Sequence, residues 1–358
     1  MQLFKKKKYT YLYIFSLALV FFFNEFSTNN VFSKNYNVSD IKVEEIYDLN
    51  FDKSKVVDKA FDKAFKILFY RLIENKDKSK INIISLKDKK SLIENFSINN
   101  EIFIDNKYIA LFDVQFNKRK ILNYLNNKDL IPSSPKEIEV FLLPILIDTS
   151  SNELYYLNQN IFYENWNRKK KNYHLIKYVL PNEDIEDYNI IKKNINNIEN
   201  YNFKEITKKY NLKHELILII LKSNTQIRVF SKIKFGKKGL LSNNIYNLDD
   251  IKNEEEINKI IYDIKNTYED KWKSINKLNT SIALPIRLSI DSKNVELSKK
   301  LENTLLNFDL VSDFKIEKFD NNEIIYKIIF NSTPQRFLEN IKMSNFKIDT
   351  STSVWKIK

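Results

Sequence analysis

Few side chains in this sequence have the chemistry for catalysis or metal binding, and the spacing of those few limits what they can do. There are two histidines, His174 and His214, and no cysteine. A zinc site takes three or four N, S or O ligands as a set, and no carboxylate forms a recognisable motif with either imidazole. His214 opens an otherwise apolar run and reads as a hydrogen-bonded or edge histidine. A nucleophilic triad would have to pair Ser or Thr with one of these rings, and there is no Gly-x-Ser-x-Gly elbow to carry it. The two glycines, Gly236 and Gly239, flank Lys237-Lys238, which excludes a glycine-rich phosphate cradle and a dinucleotide fingerprint. No cofactor and no metal ligand set is expected.

Two clusters remain. Glu183-Asp184 with Glu186-Asp187 is the best group of carboxylates. Paired carboxylates can do acid–base work on glycosidic bonds, so Glu183, Asp184 and Asp187 are the residues a hydrolase reading would use. The plainer reading is a helix start after Pro181, with acids in the first turn facing the positive end of the helix dipole. The second cluster is aromatic and basic: Phe162, Tyr163 and Trp166, then Arg168, Lys169, Lys170 and Lys171. Over Asn158–Tyr173 it predicts a helix with an aromatic face and a cationic end, its lysines a solvated run suited to the dipole. Its functional reading makes Trp166 and Arg168–Lys171 a contact surface for an acidic polymer or a lipid head group.

The net charge of +13 invites a nucleic-acid or anionic-membrane partner. Lys, Asn and Ile dominate while Gly and Pro are scarce, as an AT-rich coding bias would produce without selection for charge. A dedicated nucleic-acid site is therefore not expected, and a general preference for anionic surfaces survives. At the N-terminus, Lys5–Lys8 precede an apolar run from Tyr9 to Phe23, and Val31-Phe32-Ser33 offers a cleavage site. A positive n-region, a short apolar core and a small exit residue make a secretory signal. The run of about fifteen residues is shorter than the roughly 20 a bilayer helix needs, which favours cleavage over a retained anchor. Either way the bulk of the chain is expected across the inner membrane, in the periplasm.

The elements that must position these clusters follow from periodicity. Val38–Tyr47 reads as a strand. Asn50 and Asp52 offer N-caps to a helix over about 53–74, whose Val56, Ala60, Ala64, Leu68 and Val57, Phe61, Phe65, Leu72 recur at three- and four-residue steps. A short strand (81–86) and a short helix (89–96) are followed by a hairpin, 101–104 with 108–116, turning at Asp105-Asn106. Asn117 caps a helix to about 127. Pro132–Pro135 is a loop, and Ile138–Ile147 is apolar enough for the centre of a sheet. A strand at 175–180 closes the first domain, and the Asn-rich 182–202 reads as an inter-domain segment. Beyond it come a helix (203–210), strands at 214–222 and 226–235, a glycine-flanked loop, and a long amphipathic helix over about 254–277. The last eighty or so residues read strand–helix–strand–strand–helix–strand, the split βαβ pattern of ferredoxin-like domains. The fold class is thus α/β and α+β, in two to three small sheet-plus-helix modules. The expected divisions are 1–33 (signal), 34–181, 182–279 and 280–358.

The order of segments resembles that of the proteobacterial exported family catalogued as domain of unknown function 2066. Carrying the resemblance are the helix stretch Val56–Ile73, the strand Tyr108–Phe116 with its following helix, Glu139-Val140-Phe141-Leu142-Leu143-Pro144-Ile145, the aromatic stretch ending in Trp166, and Val179-Leu180-Pro181-Asn182-Glu183-Asp184. Where the family has more tryptophan, this chain has Tyr156 and Phe162. The resemblance implies an envelope location and no known activity. The expected function is a non-enzymatic interaction or assembly module with an envelope protein partner. The alternatives are a periplasmic hydrolase and a binder of cell wall or anionic lipid.

Overall fold

The computed structural model describes residues 36–358 apart from 82, 83, 249, 280 and 281; the expected signal segment, 1–33, lies outside the described residues. The fold is mixed α/β, with three sheets and helices packed on them. In the first module β1 (Asn37–Ile46), β2 (Ile93–Ile104) and β3 (Lys107–Phe116) form an antiparallel sheet in the order β1-β3-β2. Helix α1 (Lys53–Leu72) lies on one face and buries Val56, Ala60, Ala64, Phe65, Leu68 and Phe69 against Tyr108, Ala110, Phe112 and Val114. Asp52 caps the helix by accepting from the N–H of Ser54 at 2.8 Å, which satisfies one of the orphan donors of its first turn. Asp105 and Asn106, both at positive φ, make the expected two-residue hairpin turn.

Two local expectations fail in this module. In place of a strand at 81–86, the described residues form a 3-10 segment (Asn75–Ile81) and helix α2 (Leu86–Leu92). Strand β2 starts at Ile93 rather than Glu101, because its polar first half pairs with the inner strand β3. Helix α3 (Lys118–Asn126) is capped by Asn117 as expected, but the Pro132–Pro135 loop after it is a buried seam. There the Ser133 N–H and hydroxyl donate to Leu72 O at 2.7 and 2.9 Å, and the Ser134 N–H donates to Asn276 O at 2.9 Å. A loop can be buried only when its backbone polar groups find partners, and here they terminate helices of two modules.

The second module is a six-stranded sheet, β4 (Ile138–Asp148), β5 (Glu153–Tyr155), β6 (Ile176–Val179), β7 (His214–Lys222), β8 (Gln226–Phe235) and β9 (Lys238–Asn247), in the order β5-β4-β7-β8-β9 with β6 also on β4. β4 and β7 are parallel and nearly all apolar, as in a strand covered on both faces. One face carries α4 (Ile161–Trp166) and the long α7 (Glu254–Ile275). The other carries α5 (Ile185–Lys193) and α6 (Lys204–Thr207), which bury Ile191 and Ile206 beside Ile198 and Phe203. The division expected at 181/182 therefore falls inside one sheet, and 182–202 is a packed layer of it rather than a linker. The third module, β10 (Leu284–Asp291), α8 (Val295–Asn307), β11 (Val311–Phe319), β12 (Glu323–Phe330), α9 (Pro334–Met343), β13 (Ile348–Asp349) and β14 (Trp355–Ile357), keeps the expected element order with strand order β11-β12-β10-β14-β13. Its last expected strand is two short ones, and β14 runs parallel to β10. No helix among the described residues is long and apolar enough to cross a membrane.

Candidate functional site: a lysine-lined pocket between α4 and α7

The aromatic–basic stretch does not form the long helix its composition predicts. Asn160 caps α4 through the N–H groups of Phe162 and Tyr163, and the helix ends at Trp166. Arg168–Lys171 then lie in the turn and loop that lead to β6. Three side chains from elsewhere fix this loop. At its start, Lys265 of α7 donates to Trp166 O. In the middle, Arg71 at the end of α1 donates through Nη2 to Asn172 O at 2.6 Å. At its end, the buried Glu269 carboxylate accepts the N–H groups of Leu175 and Ile176, both at 2.9 Å. Lys265, Glu269 and Lys273 thus form a row at four-residue steps along α7, a turn apart on one face, and all three are buried.

Between this loop and α7 lies a pocket of about 300 Å³. Lys169, Lys171, Lys259 and Lys265 line it together with His174 and Trp166, and Glu255 is the one carboxylate in the lining. Trp166 is fully buried, with its indole Nε1 lacking a hydrogen-bond partner, and the buried His174 Nε2 likewise has none. Lys265 is 4% exposed, and its ammonium sits 5.5 and 5.6 Å from the ring centres of Trp166 and Tyr178. Burial pushes that ammonium down to about 8, with Lys170 adding repulsion. Burial first, then the surrounding Lys265, Lys78, Lys273 and Lys171, pushes His174 down to about 4, so the imidazole is neutral at physiological pH.

An amine near neutrality in a pocket is a possible nucleophile toward carbonyl carbons. Here the Lys265 Nζ donates to a backbone carbonyl and lies over the adjoining Trp166 and Tyr178 rings, contacts that favour the charged form. The chemistry this lining supports is anion recognition: several cations and one opposing carboxylate, in a site partly shielded from water where charge is felt strongly.

Of the expected surface, Trp166, Lys169 and Lys171 come together in the pocket. Arg168 turns away, with Nη1 2.9 Å from Asn165 Oδ1 and 3.3 Å from Glu254 Oε1, and Lys170 does not line the cavity. His174, Lys259 and Lys265 belong to the site and were not singled out for it from sequence. One signal was there: Lys265 stands four residues after Ile261 and three before Tyr268, inside the apolar stripe of its helix.

The carboxylate cluster is a helix start. Asp184 caps α5 by accepting from Glu186 N–H at 2.8 Å, and Lys209 donates to Asp184 Oδ2 at 2.6 Å and to the buried Asp187 Oδ1 at 2.8 Å. The Lys209 hydrogen bond, helped by the N–H groups of the helix, holds the Asp184 carboxyl below its usual range. Glu183 is exposed beside them. Among the described residues, no three His, Asp or Glu side chains converge as a metal site. No protein-family model and no curated protein matches the chain.

Proposed function

We propose that this protein is an exported, non-enzymatic module of the cell envelope that works by contact, and that its contact site is the pocket between α4 and α7, which takes an anionic head group. The observation that carries the reading is the convergence of Lys169, Lys171, Lys259 and Lys265 around one cavity, with Glu255 as the single carboxylate in its lining. The envelope location rests on the signal-like first 33 residues and on the resemblance to the exported family of unknown function. The hydrolase alternative is disfavoured because Asp184 and Asp187 share Lys209 and lie at a helix cap.

The test is co-flotation of the purified protein with vesicles of phosphatidylglycerol or of phosphatidylcholine. Binding to the anionic vesicles only, released by salt as screening shortens to about 3 Å at 1 M, and lost in Lys169→Ala/Lys171→Ala/Lys259→Ala, is the expected result. Equal binding to both vesicles, or an unaffected triple variant, would sink the pocket reading. N-terminal sequencing of the protein recovered from the envelope tests the export reading, with a start at Lys34 expected. A second reading, docking of an envelope protein partner, is favoured by one feature: the tip of the β2–β3 hairpin exposes Ile102, Phe103 and Ile104 beside Ile46 and Tyr47, a larger apolar cluster than scattered surface residues make.

A further inference from the structure

Strand β9 is the outermost strand of the six-stranded sheet, and among the described residues its outer edge pairs with no other strand. Proteins normally blunt such edges with charges, bulges, prolines or brevity. The other edges of this molecule follow that rule. β1, β2 and β11 carry register breaks and charged residues, and β5, β6 and β13 are two to four residues long. β9 differs. From Gly239 to Asn247 it has no charge, no proline and no break in register against β8.

The direction of its free backbone groups follows from the turns. The Ser223 N–H donates to Gln226 O, which makes 223 and 226 the closing hydrogen-bonded pair of the β7–β8 hairpin. Hydrogen-bonded pairs recur at every second residue of an antiparallel ladder. The even residues of β8 therefore bond to β7, the odd ones bond to β9, and their partners on β9 are even. The odd residues 239, 241, 243, 245 and 247 are left with N–H and C=O aimed at the open edge.

This edge is self-complementary about Asn243. In an antiparallel pairing of two copies with Asn243 opposite itself, Leu241 meets the second copy's residue 245, Gly239 meets 247, and every odd residue exchanges two backbone hydrogen bonds with its counterpart. Leu241 is 65% and Ile245 64% exposed. They project on the face away from α7, since the alternate residues Leu240 and Tyr246 pack in the core under that helix. No like charges would meet, because residues 239–247 carry none; of the β8 cations alongside, Arg228 pairs with Glu199 at 2.5 Å and Lys232 donates to Tyr201 O at 2.9 Å. Leu241 also lines an open groove of about 550 Å³ with Tyr201 and Phe203, where the second copy's residue 245 would add apolar contact. We infer that β9 is a homodimerisation edge, joining two copies of this chain through an antiparallel β9–β9 pair centred on Asn243 into one continuous sheet.

The chain has no cysteine, so single introduced thiols report the register cleanly. Residues directly opposite in a hydrogen-bonded pair have Cα atoms about 5.5 Å apart, within disulfide reach. Under mild oxidation Asn243→Cys is expected to cross-link into a covalent dimer, while Asn247→Cys, offset from its own copy, is not. Sedimentation should give twice the protomer mass for the wild type. Leu241→Lys and Ile245→Glu, each at an exposed position, should weaken dimerisation at least about tenfold, a loss of about 1.4 kcal/mol. The double variant should recover it, because each new lysine then faces a glutamate. A wild type that stays monomeric up to about 100 μM, where a dimer with Kd near 1 μM would be nearly saturated, overturns the inference. So does a dimer that neither single variant affects.

Discussion

Lys273 is the sharpest place to test how the first two modules are joined. Lys273 is 2% exposed, and its ammonium donates to Tyr70 O at 2.6 Å and Ile73 O at 2.8 Å, satisfying carbonyls that α1 leaves open at its C-terminal end. Burial pushes its pKa down from 10.5 to about 8. The sign of the pH dependence follows. Below about 8 the folded protein carries the full cost of a buried charge. Between 8 and 10.5 the unfolded chain holds a proton the folded one has released, so stability rises with pH. The shift is worth about 3 kcal/mol across that window.

Lys273→Met keeps the aliphatic length, removes both hydrogen bonds and abolishes the titration. At neutral pH the lost charge-assisted bonds, about 1.5–3 kcal/mol each, are partly offset by relief of the buried charge. A net destabilisation of about 2 kcal/mol is expected there. By pH 10.5 the difference from wild type should have grown by about 3 kcal/mol, because only the wild type gains. Lys265 titrates in the same range in both proteins and cancels. Urea unfolding followed by far-UV circular dichroism at half-unit steps from pH 7 to 10.5 measures this. A stability difference that stays constant over the range would refute the reasoning, and one that shrinks would reverse it.

Two further outcomes follow from the same reading. Gly236 turns the β8–β9 hairpin at φ +63°, while Gly239 has no positive φ, and a Cβ at either meets nothing within 4 Å. Gly236→Ala should therefore cost about 1–2 kcal/mol from backbone strain alone, and Gly239→Ala should be neutral or slightly stabilising; equal effects in thermal melts would contradict this. Asp184→Ala should lower the melting temperature more than Asp184→Asn, since Asn keeps the helix cap and loses only the charge toward Lys209. Because the Asp184 carboxyl is held below its usual range, its contribution should be present above about pH 4 and fade on further acidification. A gap between wild type and Asp184→Ala that persists undiminished toward pH 2 would show that the charge is not what matters.

The sequence by itself determined the elements whose order is written in local periodicity. Helices α1 and α7 follow from apolar residues at three- and four-residue steps, β4 and β7 from unbroken apolar runs, and the β2–β3 turn from Asp105-Asn106, residues that tolerate left-handed backbone. The caps by Asp52 and Asn117 were legible for the same reason: a side chain acts on N–H groups only two or three residues away. What depended on distant partners was not legible. β9 lacks β-branched residues over Gly239–Asn244, and only its pairing with β8 makes it a strand. The segment 182–202 looks like a linker until Ile191 and Ile198 reach the sheet. Trp166, Lys169 and Lys171 were visible as a cluster, but Lys259 and Lys265 are some ninety residues away in the chain. The pocket exists because α4 packs on α7, and because Glu269 and Arg71 hold the intervening loop in place. Local spacing encodes elements and caps. A site of opposed faces, and an edge left open, are decided by tertiary packing.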